Sequence, residues 1–213
     1  MAAIDELLHA GSDALCEAGP GTDRVPGAVH GLLAARNGFF AFASALHVRP
    51  SGDVPGNVVE WNREDGWRNA YGELAEGLFF FAEDAFGNQF ALDGDGRVVA
   101  FDAETAALDP LAESVTDWVR VLLDDWRFLT GYPVAHDWQD ANRPLKRGER
   151  LFPRKPFVIG GEYTLENLTA AIDHQAMAYR GQIATQIAHL PEGTEIVLRP
   201  IEPSPGHPLR RGT

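Results

Sequence analysis

Asp93-Gly94-Asp95-Gly96 is the segment of this chain whose residue types and spacing most invite chemistry. Two carboxylates one residue apart, with Glu104 at the twelfth position counted from Asp93, follow the outline of an EF-hand calcium loop. The interior of the loop breaks the match. Arg97 falls where an oxygen ligand belongs and Val98 where the obligatory glycine belongs, so two glycines around an aspartate predict a tight hairpin turn instead. The seven histidines, His9, His30, His47, His136, His174, His189 and His207, contain no HxH, HxxxH or HExxH spacing that would converge on a metal. No GxSxG nucleophile elbow is present, and Cys16 lies in a stretch without the basic context that lowers a thiol pKa. Gly160-Gly161 is followed by Glu162, which repels phosphate, and by no GK[ST]. Neighbouring carboxylates such as Glu83 with Asp84 and Asp124 with Asp125 point apart on a strand or helix. No catalytic set, metal site or cofactor is expected; a hydrolase assembled from residues scattered along the chain remains an alternative.

The elements around the acidic turn are more legible. Leu78 to Ala82 is an apolar, aromatic run of strand length, Phe86-Gly87-Asn88 turns the chain, and Gln89 to Asp93 alternates in the strand period. Arg97 to Phe101 is the returning strand. A long helix is predicted next, capped by Ser114, with Leu111, Val115, Trp118, Val119, Leu122, Trp126 and Leu129 at spacings of three and four; Gly131 and Pro133 are expected to stop it. Upstream, helices are predicted over residues 1 to about 18 and Arg24 to Arg36, and a strand over Phe39 to Val48. Downstream, strands are expected at Phe157 to Tyr163, Asn167 to Ile172 and Thr194 to Ile201, with a helix from Asp173 to Leu190.

This order, the Asn37-Gly38 pair ahead of an aromatic run, and the FxxDxxGNxFxxD pattern of Phe81, Asp84, Gly87, Asn88, Phe90 and Asp93 together resemble the SMI1/KNR4 family, also called the SUKH superfamily. The resemblance covers roughly Pro26 to Leu129. Its motif consists of turns and core aromatics and contains no reactive group. It implies an α+β fold with a mainly antiparallel sheet flanked by helices. Many bacterial members are immunity proteins that neutralise a toxin enzyme, often a nuclease, and others are interaction modules of cellular scaffolds; a non-enzymatic protein-binding role follows as the expectation.

Composition sets the limits. At 213 residues, 45% of them hydrophobic, the chain can bury about 70% of its unfolded surface. The N-terminal MAAIDELLHAGSDAL lacks a basic n-region and carries Asp5 and Glu6, unlike a signal peptide, and no run approaches a membrane span, so a cytoplasmic protein is expected. A single cysteine excludes an internal disulfide within the chain and a cysteine-based zinc site. The net charge is −13, and between Glu60 and Asp125 there are 16 Asp or Glu against four Arg. Such a field repels nucleic acid and anionic lipid and steers basic partners, while also serving solubility.

The expected organisation is an SMI1/KNR4-like unit at 1–130, a polar connecting segment at 131–150, an α/β C-terminal extension at 151–203 and a disordered tail at 204–213. The candidate partner-binding residues are the acidic positions around the hairpin, Glu83, Asp84, Asp93, Asp95 and Asp102, and the aromatic–acidic segment containing Trp61, Glu64, Asp65 and Trp67. The expected partner is a protein, with a basic toxin domain foremost and a housekeeping partner as the alternative.

Overall fold

The computed structural model describes residues 2–19, 24–191 and 194. It is an α+β fold, as the sequence predicts. Six strands form one antiparallel meander in chain order: β1 (Phe39–Ala41), β2 (Leu46–Val48), β3 (Phe79–Glu83), β4 (Gln89–Leu92), β5 (Val98–Phe101) and β6 (Leu108–Ala112). A second sheet pairs β7 (Glu149–Pro153) with β8 (Leu168–Ile172). The helices are α1 (Ala2–His9), α2 (Gly27–Ala35), α3 (Val58–Trp61), α4 (Val115–Asp124), α5 (Trp126–Leu129), α6 (Tyr132–Ala141) and α7 (Asp173–Ile187).

Both faces of the six-stranded sheet are covered, which explains why its strands are apolar almost throughout. On one face Phe39, Leu46, Val48, Phe81 and Phe90 pack against Leu7 of α1, Leu32 and Leu33 of α2, and Trp118, Val119 and Leu122 of α4. On the other, Phe80, Ala91, Val99 and Phe101 meet Trp61, Trp67 and Tyr71, with Met177 and Ala184 of α7 closing the layer. A third cluster joins Ala85 and Phe86 to Trp138, Leu151 and Leu168. Residues after 130 thus contribute to the packing of both the sheet face and its end.

β3 carries a register shift between Phe80 and Ala82: Phe80 pairs with Ala91 and Ala82 with Phe90, leaving Phe81 as the extra residue. A bulge of this kind places two successive side chains on one face. Phe81 and Ala82 both belong to the α4 side, Phe80 to the α7 side, and Glu83 is consequently returned to the α7 side.

Several elements differ from expectation for local physical reasons. The predicted strand over Phe39 to Val48 is a hairpin, reversed by Phe42, Ala43 and Ser44 at φ 52°, 50° and 66°; phenylalanine and alanine do not signal a turn, and a lone serine signals it weakly. The first helix ends at His9, after which Ser12 and Leu15 donate backbone hydrogen bonds to Phe40 and Gly38 (2.7 and 2.8 Å) and cover the outer edge of β1. Ser114 does cap α4, accepting from the Asp117 N–H at 3.1 Å. Leu111, however, lies in β6, and the helix breaks at Asp125. Gly131, left-handed at φ 66° directly after the Thr130 C-cap, does end the preceding helix, and it also opens α6, with Pro133 in the first turn where no amide donor is needed. Phe157 to Ile159 is a single 3₁₀ turn where a strand was predicted, and β7 was not anticipated. The expected strand at Thr194 to Ile201 and the tail from 204 lie outside the described residues.

The helix α7 reaches the sheet layer only because Gly181 lacks a side chain: a Cβ there would sit 2.7 Å from Tyr71 and 2.8–2.9 Å from Ala70. Alanine at 181 would gain about 1 kcal/mol of helix propensity against an overpacking cost of about 1–3 kcal/mol, so Gly181→Ala is expected to lower the urea midpoint. Gly31→Ala, on the exposed side of α2 with nothing within 4 Å of the added methyl, should raise it. A stabilised Gly181→Ala variant would show that α7 is not held this close.

Candidate functional site

The structure separates the sequence-predicted site residues into two groups. Glu83, Asp84, Trp61 and Trp67 are buried, with relative exposures of 0%, 6%, 4% and 5%, so none stands at the surface as an exposed docking residue, which corrects that expectation; Asp84 only lines the base of a groove described below. Burial has a different cause in each case. The two tryptophans pack with Phe80 and Tyr71 in the layer under α7, and Asp84 is consumed by its own turn, where Oδ1 accepts from the Phe86 and Asn88 N–H groups (2.8 and 2.9 Å) and Oδ2 from the Asn88 side chain (2.9 Å). Its burial pushes the carboxyl up to about 7 despite those bonds.

Glu83 is the centre of an ion network. Its Oε1 lies 2.9 Å from each of His47 Nδ1, Arg49 Nη2 and Arg150 Nε, and Oε2 accepts from Gln89 Nε2 at 3.1 Å. Arg49 also reaches Asp173 Oδ2 at 3.0 Å and stacks its guanidinium over Trp61, whose Nε1–H donates to Gln89 Oε1 at 2.9 Å. Two carboxylates thereby balance two guanidiniums. Burial alone would raise Glu83, yet Arg49, Arg150 and the His47 hydrogen bond hold it well below the ordinary carboxylate range. Burial lowers His47 to about 4, so the ring is neutral near pH 7 and donates from Nδ1.

The remaining predicted residues face solvent. Asp93 and Asp95 bracket the β4–β5 turn and pair with Arg97 at 2.9 and 2.8 Å, the hairpin geometry expected for the segment. Glu64 and Asp65 are exposed, with Asp65 bound to Arg63. Asp102 is half-buried in the turn after β5, where Oδ1 accepts from Glu104 and Thr105. Among the described residues no three metal-ligating side chains converge, and no helix is long and apolar enough to cross a membrane.

What the sequence did not reveal is a groove of about 700 Å³ between the β3–β4 turn and the α5–α6 corner. Phe86, Phe90 and Val134 form its apolar floor and walls, Tyr163 and Phe128 stand at its lip, and Asp102, Asp109 and Asp125 rim it. Phe128 is 80% exposed and Tyr163 49%. Gly131, at φ 66°, makes the corner possible: a Cβ there would lie 2.2 Å from the Phe86 ring. The opposite lip is fixed by stacking of Tyr163 on Phe157 at 3.8 Å and by an edge contact of Tyr163 to Phe86 at 5.0 Å. A signal for this site did exist, since Phe128 is the aromatic that falls off the apolar stripe running from Val115 to Leu129.

No family model and no curated protein matches the chain. Among solved structures it is similar to the crystal structure of Atu4351 from Agrobacterium tumefaciens, with a TM-score of 0.59 and 13% identity, over 82% of this chain and 86% of that one. At that identity the likeness shows a shared fold.

Removing the central charge should expose how much the network matters. Glu83→Gln leaves Arg49 and Arg150 under-compensated in a buried site and is expected to cost about 3–5 kcal/mol. Because the folded-state pKa of Glu83 is depressed, its contribution is full above the unfolded carboxylate pKa of about 4.3 and is lost as pH falls through the lower folded value. Urea midpoints measured from pH 2 to 7 should therefore show an acid limb that is flatter in the variant; identical limbs would rule the network out as its source. His47 and Asp84 act oppositely between about pH 4 and 6.5. Stability from neutral His47 falls as pH drops below its unfolded value toward about 4, whereas ionising Asp84, with its midpoint at about 7, costs stability as pH rises. Carboxyl ¹³C titration of Asp84 checks this directly, and a midpoint near 4 would refute it.

Proposed function

We propose that this chain is a non-enzymatic, cytoplasmic binding protein that captures a basic protein partner, in the manner of the bacterial immunity proteins of the SMI1/KNR4 family that its turn motif resembles. The observation that carries this reading is the acid-rimmed aromatic groove. An aromatic ring left 80% exposed beside an apolar trough forfeits burial worth about 1.5–3 kcal/mol unless something covers it. Aromatic anchors in a groove with charges at the rim are the usual composition of an interface hot spot. The rim supplies the partner's sign: Asp102, Asp109 and Asp125 outnumber Arg127, within a stretch holding 16 acidic residues against four arginines.

Such a surface would act by occlusion. Long-range attraction brings a basic face to the rim, raising association by roughly 10- to 1,000-fold at low salt, and the apolar groove then slows its departure. A nuclease toxin, whose active site must be positive to hold a polyanion, fits that description. A cellular scaffold partner would use the same surface.

Affinity capture from the native host at low and moderate salt is the direct experiment, with one stoichiometric basic protein, lost as salt rises, expected. Phe128→Ala, at an exposed position, should leave stability within about 0.5 kcal/mol but weaken the captured complex by about 2 kcal/mol or more. Asp109→Lys combined with Asp125→Lys should slow association and flatten its salt dependence. Unchanged binding in both variants would sink the groove as the docking surface, and absence of any retained protein would turn attention to substrate screening.

A further inference from the structure

A smaller chamber of about 230 Å³ adjoins the groove and shares Asn88 and Asp102 with it. We infer that this chamber receives a single basic side chain, arginine or lysine, from the partner segment lying in the groove; the assignment rests on the groove being the docking surface.

The polar atoms in the chamber wall are incompletely used. Glu104 is 5% exposed; its Oε2 accepts from the Val158 N–H at 2.9 Å, while Oε1 accepts no hydrogen bond. Arg180, 1% exposed, donates from Nη1 to the Phe86 carbonyl and from Nη2 to the Leu151 carbonyl at 3.4 Å, but its Nε–H has no acceptor. Nε and Oε1 stand 3.9 Å apart, beyond hydrogen-bonding distance. A buried acceptor left in this state forfeits the hydration it had in water, and a ligand donor would replace it.

Charge selects the donor. Two carboxylates, Asp102 and Glu104, face the chamber against one guanidinium whose terminal nitrogens are committed to carbonyls. An anion would meet both carboxylates and find one free N–H; a cation would meet two acceptors. The same negative surroundings are felt by Tyr163 at the shared lip, which burial together with Asp84, Asp102 and Glu104 pushes up to about 12. Shape agrees with charge. The chamber is smaller than the ~300–1,000 Å³ of pockets for drug-sized ligands and thus scaled to one side chain. Phe157 and Val158 offer apolar wall to an aliphatic stem, and Phe157 stacks on Tyr163 of the groove, so one apolar surface runs from lip to chamber.

The test is a titration of the ¹⁵N-labelled full chain with N-acetyl-arginine amide, using uncharged N-acetyl-norleucine amide as control. The expected result is saturable shifts of the Asn88 side-chain amide, the Arg180 Nε–H and the Val158 N–H with the arginine probe alone, and at least tenfold weaker binding to Glu104→Gln. Glutamine keeps an acceptor for Val158, so the wall is preserved. Absence of shifts with the arginine probe, equal shifts with norleucine, or an unchanged affinity in Glu104→Gln would each overturn the assignment. A peptide carrying arginine between leucines separates the two sources of the cation. It should bind at least tenfold more tightly than the amino-acid probe, with that gain lost in Phe128→Ala; equal affinity for peptide and probe would overturn a partner side chain as the occupant. Probe binding that persists while partner capture ignores Phe128→Ala would instead count against the groove reading alone.

Discussion

Charge neutrality around Glu83 is the constraint on which the rest of the molecule depends. A carboxylate with no solvent contact costs several kcal/mol unless opposite charge and hydrogen bonds replace its water. Here the compensation comes from four places in the chain: His47 and Arg49 at and just beyond β2, Gln89 on β4, Arg150 on β7, and Asp173 on α7 acting through Arg49. Arg150 and Asp173 would be equally costly to bury without Glu83 and Arg49. The segment after residue 130 and the six-stranded sheet therefore each contain charges that the other neutralises, and local opening of β7 or α7 uncovers ions together with apolar surface.

The same network marks the limit of what the sequence discloses. Features controlled by nearby residues were legible: the Ser114 cap, the glycine-rich β4–β5 turn, the Phe86-Gly87-Asn88 turn of the motif, and the alternation of β4. Features controlled by distant partners were not. Arg150 looked like one of a cluster of basic residues in a polar connector, because nothing local shows that a carboxylate 67 positions earlier needs it. Glu83 and Asp84 looked like surface acids for the same reason. β6 escaped notice since Pro110 interrupts its pattern, and proline is tolerated there only because the strand lies at the sheet's edge.

The groove was hidden by its assembly from separate pieces. Its floor comes from the motif turn and β4, one lip from α5 and α6, the other from the loop carrying Tyr163, and its acidic rim from β6 and the ends of β5 and α4. Local propensity accounts for each piece; their convergence depends on Phe86 filling the space that Gly131 leaves open. The acidity noted in the sequence is also unevenly used. Part of it, at Glu83, Asp84 and Glu104, is buried, and part, at Asp109 and Asp125, remains at the surface to act at a distance.

The extra residue in β3 makes the bulge, rather than side-chain identity, the unforgiving variable in that strand. Phe79, Phe80 and Phe81 are chemically identical, and trading one large apolar group for another there would alter packing by degrees. Pairing the same five residues with β4 without the bulge would leave a strand of unchanged character but reversed facing beyond Phe81. Glu83 would then be carried toward Trp118 and the apolar helical layer, and both arginines would be left facing an empty position.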